Sequence, residues 1–222
     1  MTTFIGALEN EFIKNANAKI ALQQKAYLRG QFEFYGLTTT VRREIQRPFL
    51  IAQFPLPKKD LSQLVQQCMN RPQREYHYFA QELAFKYVKE LEKKDIDLYE
   101  FMVCHKSWWD TVDFIATKLI GAYFKKYPEQ IAAYVEKWLN SDHIWLKRSA
   151  LLFQLKYKNE LDPDILGVTI TKLLHSKEFF INKAIGWILR EYSRTDPNWV
   201  EEFVNKTDLS NLSKREALRL IS

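Results

Sequence analysis

Glycine and proline are scarce in this 222-residue chain, at six and seven. A β-sandwich or barrel built on many tight turns needs more of both, so that class is disfavoured. The two cysteines, Cys68 and Cys104, form no CxxC pair and read as reduced thiols rather than a disulfide framework. The four histidines, His77, His105, His143 and His175, are scattered, with no HExxH and no cysteine at ligand spacing, so neither a metal nor a cofactor is expected. GxGxxG, GxxxxGK(S/T) and GxSxG are absent, which argues against dinucleotide binding, P-loop phosphoryl transfer and the hydrolase elbow. No apolar stretch approaches the roughly 20 residues that span a bilayer. The opening Met-Thr-Thr-Phe-Ile-Gly-Ala lacks the basic flank and long apolar run of a secretion signal. The expectation is a cytoplasmic protein with no membrane partner, nucleoid-associated if the cell is bacterial.

What is present is a packed core and a positive balance. Hydrophobic residues make up 46% and charged residues 27%, and the net charge is +6, a sign that suits a polyanionic partner. Apolar residues recur in steps of three and four through Tyr76, Phe79, Ala80, Leu83, Tyr87 and Leu91, and again through Trp109, Val112, Ala116, Leu119 and Tyr123. That is the spacing of one helix face, and no stretch alternates as a strand would.

The helices repeat. Pro128, Pro163 and Pro197 stand about 35 residues apart, and two of them follow an aspartate. Aspartate suits the N-cap and proline the first helical position, so each proline opens the second helix of a pair. First helices are then expected to begin near Gln73, Ser107, His143, Glu178 and Ser213, at intervals of 34 to 36 residues. This predicts an all-α, HEAT-like helical-repeat solenoid, an α-α superhelix with a basic concave groove. A single domain over 1–222 is expected, with capping helices over about 1–70 and regular pairs over about 73–222. The capping helices are expected near Thr3–Asn15, Ala18–Gly30, Thr40–Gln53 and Lys59–Asn70.

Counting back 15 residues from each punctuating proline gives Asp113, Arg148 and Asn182, which should stack as one polar row. Trp109 and Trp187 flank that row, and Lys106, Lys118, Lys147, Lys156, Lys183, Arg190 and Arg194 lie on the same helices. Each residue has an ordinary alternative: a solvated or ion-paired aspartate, core tryptophans, and an arginine bridging two helices. Asp110 reads as the end of a capping box that starts at Ser107. A carboxylate, a guanidinium and two indoles along one row point jointly to a site.

Those segments resemble the AlkD-type DNA alkylation repair glycosylases. The resemblance is carried by Ser107-Trp-Trp-Asp-Thr-Val-Asp113, Trp145-Leu-Lys-Arg148-Ser-Ala and Phe179-Phe-Ile-Asn-Lys-Ala-Ile-Gly-Trp187-Ile-Leu-Arg-Glu-Tyr192. An earlier segment, Tyr27-Leu-Arg-Gly-Gln-Phe-Glu-Phe-Tyr-Gly36, supports it. One departure is Thr40, where family members often carry proline; threonine would serve there as an N-cap. The resemblance implies a metal-free and cofactor-free enzyme that removes N3- and N7-alkylated purines from double-stranded DNA. It makes Asp113 the catalytic carboxylate. Trp109 and Trp187 would frame the damaged nucleotide, Tyr27 would border the cleft and Arg148 would hold a phosphate. Lys183 and Arg190 would join the other concave cations on the DNA backbone. A self-contained solenoid implies a monomer. Two rivals share the fold: a non-catalytic binder of distorted DNA, and a protein-interaction scaffold.

Overall fold

A computed structural model describes residues 2–51 and 56–221. Among them every regular element is helical, and the one β-type pairing is an isolated bridge between Glu33 and Gln73. The fold class is all-α. Packing separates two compact units, Met1–Glu90 and Leu91–Ser222.

The first unit holds α1 (Thr2–Lys14), α2 (Ala18–Tyr27), α3 (Thr39–Leu50), α4 (Lys58–Met69) and α5 (Arg74–Lys86). Its core gathers Leu8, Phe12, Leu64, Val65, Tyr76 and Phe79, all fully buried. Asn17 caps α2 by accepting from the Ile20 amide. That helix stops at Tyr27, short of the expected Gly30, because Arg29 and Gly30 turn into the left-handed region at φ 57° and 74°. Thr38, not Thr40, caps α3, its hydroxyl accepting from the Val41 amide. The expected end of that helix at Gln53 lies outside the described residues. Glu75 at the start of α5 ties down the preceding loop, its Oε1 accepting from the amides of Gly36 and Leu37. The helix-face spacing that continues to Leu91 is broken at Lys86, where the chain passes into a short 3-10 turn, Val88–Glu90.

The second unit carries the repeat. Its elements are α6 (Asp95–Cys104), α7 (Trp109–Phe114), a π-helical turn (Ile115–Ile120) and α8 (Gly121–Lys126). There follow α9 (Ile131–Leu139), α10 (Ile144–Leu152), α11 (Pro163–Lys172), α12 (Phe179–Tyr192), α13 (Pro197–Lys206) and α14 (Asn211–Ala217). The first helices of successive pairs pack in order: α10 against α7, α12 against α10, and α14 against α12. The punctuation behaves as its chemistry requires. Asp162 accepts from the amides of Asp164 and Ile165, and Asp196 from that of Trp199, each with proline at the first helical position. Pro128 opens a 3-10 turn that leads into α9. The capping box at Ser107 does not form, because α7 begins one residue later than it requires. The Ser107 hydroxyl donates backward to the carbonyl of Val103 instead.

A repeat of about 35 residues turns sequence spacing into contact. Arg148 meets Asp113, Lys125 meets Glu160 and Lys156 meets Glu191, each pair 35 residues apart. The Tyr157 hydroxyl donates to the Gly121 carbonyl across 36. Between α12 and α14 the approach is closest at Gly186. A Cβ there would lie 2.5 Å from that of Glu216 and 2.9 Å from the Ser213 carbonyl oxygen. Both obstacles are fixed to the backbone and cannot rotate away. Gly186→Ala should therefore lose more to overpacking, about 1–3 kcal/mol, than the roughly 1 kcal/mol it gains in helix propensity. Urea unfolding is expected to show net destabilisation; an unchanged or raised midpoint would remove this contact as the constraint.

Candidate functional site

Three consecutive first helices converge on one guanidinium. Arg148, on α10, donates from Nε to Asp113 Oδ1 at 2.7 Å and from Nη2 to Oδ2 at 2.9 Å. Its Nη1 reaches across to the Phe180 carbonyl oxygen in the first turn of α12. The carboxylate comes from α7, so one side chain ties α7, α10 and α12 together. The Arg148 side chain is 4% exposed, whereas that of Asp113 keeps 17%. Arginine enters such a pair because its planar fork matches both carboxylate oxygens and does not deprotonate.

Burial pushes the Asp113 carboxyl above the ordinary carboxylate range, and the charge of Asp110 adds a little in the same direction. Against that, the two hydrogen bonds and the charge of Arg148 pull it down. The guanidinium is what keeps a nearly dry carboxyl ionisable.

An aromatic cluster joins the same three repeats. Trp108, Trp145 and Phe180 meet with ring centroids 5.0 to 5.6 Å apart, one ring from each of the three repeats. Phe180 thus packs its ring in this cluster while its carbonyl oxygen accepts from Arg148. Trp109 sits one turn before Asp113 on α7 and is half-buried, as is Trp187 on α12. Four-residue spacing sets Trp109 and Asp113 on one side of the helix.

The expected row is brought together in part. Asp113 and Arg148 are directly paired, but Asn182 turns to its own helix start, donating to the carbonyls of Ser176 and Glu178. The Asn182 carbonyl oxygen accepts from the Ser213 hydroxyl on α14. Arg148, expected on a phosphate, points its guanidinium into the protein, which is the inter-helix role that arginine commonly fills. Lys183 and Arg190, expected on the DNA backbone, share the carboxylate of Glu216 on α14, Lys183 at 2.8 Å. The Lys183 hydrogen bond acts most strongly on Glu216; burial pushes the other way, and the charge of Lys183 with the bond and charge of Arg190 then hold the carboxyl below its usual range. Lys156 and Arg194 likewise share Glu191. Lys147 on α10 has no acidic partner among the described residues. Tyr27 belongs to the Met1–Glu90 unit, where it ends α2 and is 70% exposed. Sequence reasoning missed Phe180 and Glu216. The first acts through its backbone, and the second lies on the atypical last helix, where proline spacing gives no register.

Among the described residues no helix is long and apolar enough to cross a membrane, and no group of three or more metal-ligating side chains gathers.

The fold and the pair define an all-α helical-repeat protein with a charged tie at the centre of its stacked first helices. The chain belongs to the DNA alkylation repair enzyme family, which matches residues 8–221. Its class of function is accordingly DNA repair. It resembles the solved structure of a predicted DNA alkylation repair enzyme from Enterococcus faecalis at 31% identity and a TM-score of 0.87, covering 93% of this chain and 97% of that one. A Streptococcus mutans protein, smu.31, shares the fold at 18% identity and a TM-score of 0.62, over 82% of this chain and 94% of its own. No curated protein matches.

Removing one member of a buried pair leaves the other charge stranded, which costs about 3–5 kcal/mol. Arg148→Met strips away what pulls Asp113 down and leaves the burial that pushes it up. An acid whose folded value is raised prefers folding in its protonated form, so the penalty is absent at low pH and complete above the folded value. Urea unfolding should show a stability gap between wild type and Arg148→Met that is wide at pH 7 and narrows toward pH 4. A gap independent of pH would mean that Asp113 is not the stranded charge.

Proposed function

We propose that the chain is a DNA glycosylase that hydrolyses the N-glycosidic bond of N3- and N7-alkylated purines, such as 3-methyladenine and 7-methylguanine, in duplex DNA. The observation that carries this reading is the Asp113 carboxylate. It is fixed at two points by Arg148, nearly dry, and still open to solvent on one side. Arg148 takes one lone pair from each oxygen, which leaves capacity on the exposed side. Membership of the DNA alkylation repair enzyme family supports the substrate class.

The chemistry asks little of the protein. Alkylation at N3 or N7 makes the purine cationic, so it leaves as a neutral base, taking the electron pair of the C1′–N bond. The positive charge then moves to the sugar. A carboxylate in a medium of low dielectric stabilises that oxocarbenium-like state and orients the water that attacks C1′. The water adds through oxygen, loses a proton to solvent and leaves an abasic sugar. Trp109 and Trp187 would offer π faces to the sugar C–H groups and the cationic base. No metal or cofactor enters this scheme.

Arg148 takes a different part from a phosphate contact. It holds Asp113 ionised and in place. Affinity for DNA would come from half-buried cations without an acidic partner, such as Lys147, and from Lys183 and Arg190 to the extent that a phosphate competes with Glu216. A second reading, a structural tie in a non-catalytic DNA-binding protein, rests on the same two hydrogen bonds.

The experiment is incubation of methylated duplex DNA with purified protein, followed by identification of the freed bases. Wild type is expected to release 3-methyladenine and 7-methylguanine. Asp113→Asn should nearly abolish release while retaining or tightening binding, since a negative charge beside phosphates is removed. Wild-type release by Asp113→Asn would take the carboxylate out of the mechanism. Binding without release in both proteins would establish the second reading.

A further inference from the structure

Apart from Gly121, the buried residues on the α7–α8 segment come in adjacent pairs spaced by four: Thr111 and Val112, Ile115 and Ala116, Leu119 and Ile120, Tyr123 and Phe124. An α-helix with 3.6 residues per turn overshoots a full turn by about 40° for every four residues. Three such steps would carry the last pair about 120° away from the first. The core keeps all four pairs because the helix widens between Ile115 and Ile120 into a π turn, where the Gly121 amide reaches back five residues to the Ala116 carbonyl.

The same correction governs the site. Gly121 is pressed onto the end of α10: a Cβ there would meet the Phe153 carbonyl oxygen at 2.7 Å, and the Tyr157 hydroxyl holds the Gly121 carbonyl. Asp113, eight residues earlier, must face α10 too, because its partner Arg148 is there. With Gly121 fixed, an unbroken α-helix would rotate Asp113 by about 80° off that direction. Midway between them stands Thr117, whose Oγ1 donates to the Asp113 carbonyl at 2.7 Å. A hydroxyl inserted into the helix ladder in this way bends and loosens the regular α pattern.

We propose that Thr117 is a positioning residue, holding the π turn that aims the Asp113 carboxylate at Arg148 and at the substrate side. The inference rests on the catalytic role of Asp113 given above, but its geometric half stands independently. The test is Thr117→Val, which keeps the side-chain shape and removes the hydroxyl, with Thr117→Ser as the conservative rescue. Two readouts are taken: kcat and KM for base release from methylated duplex, and a carbon-13 NMR titration of the Asp113 carboxyl, assigned with Asp113→Asn.

Thr117→Val should lower kcat by roughly tenfold with KM unchanged, as a small misaiming of a reacting group does. Its Asp113 titration should move upward as the Arg148 bonds slacken and burial persists, and Thr117→Ser should restore both values. A wild-type titration and wild-type kcat in Thr117→Val overturn the proposal. Should the valine variant fail to fold, Thr117→Ala is measured in the same way, with the same outcomes deciding. If Asp113→Asn releases bases normally, the catalytic role of Asp113 fails, while the carboxyl titration still judges Thr117.

Discussion

A buried charge pair is an expensive way to join helices, and the Asp113–Arg148 tie is the constraint around which the second unit is arranged. Taking each ion out of water costs several kcal/mol, and their attraction offsets this only when the geometry is good and the remaining donors are satisfied. Here the fork is bidentate, and a third guanidinium nitrogen donates to the Phe180 carbonyl. Well-packed apolar residues would hold α7, α10 and α12 together at no greater cost. A pair that adds little to stability, in a family of repair enzymes, is more economically explained by what the carboxylate does than by what it binds together.

The repeat makes that tie possible without any local sequence motif linking its partners. Because each helix pair spans about 35 residues, a position on one first helix lands beside its counterpart on the next. Lys125 with Glu160 and Lys156 with Glu191 use the same arithmetic on the surface. Exposed pairs of that kind contribute at most about 1 kcal/mol each. The buried pair differs in its burial, and the Trp108, Trp145 and Phe180 rings pack the same three repeats against one another.

What could be read from the sequence was what local chemistry decides. Asp162-Pro163 and Asp196-Pro197 announced their helix starts because an N-cap needs nothing beyond three or four neighbouring residues. The row of Asp113 and Arg148 was visible through the spacing of the prolines, although spacing says that two residues meet and not what they exchange. The rest depended on partners far along the chain. Ser107 looked like a cap and became a donor to Val103, because the preceding helix ends within its reach. The π turn did leave a trace, since strict four-residue pairing of apolar residues is not an α-helical period; steps of three and four describe it less well.

The cations show why counting charge along a sequence overstates the attraction available to a polyanion. Lys183 and Arg190 would each contribute one positive charge if solvated, but the nearly buried Glu216 carboxylate between them leaves a net of one for the group. A phosphate approaching that group must outcompete a carboxylate that is already desolvated and held by two cations. On the proposed DNA-binding face such pairs would therefore contribute less to the salt-dependent part of the affinity than unpartnered residues such as Lys147. That suits a protein whose recognition has to depend on the lesion, because a face of wholly free cations would hold undamaged duplex almost as firmly.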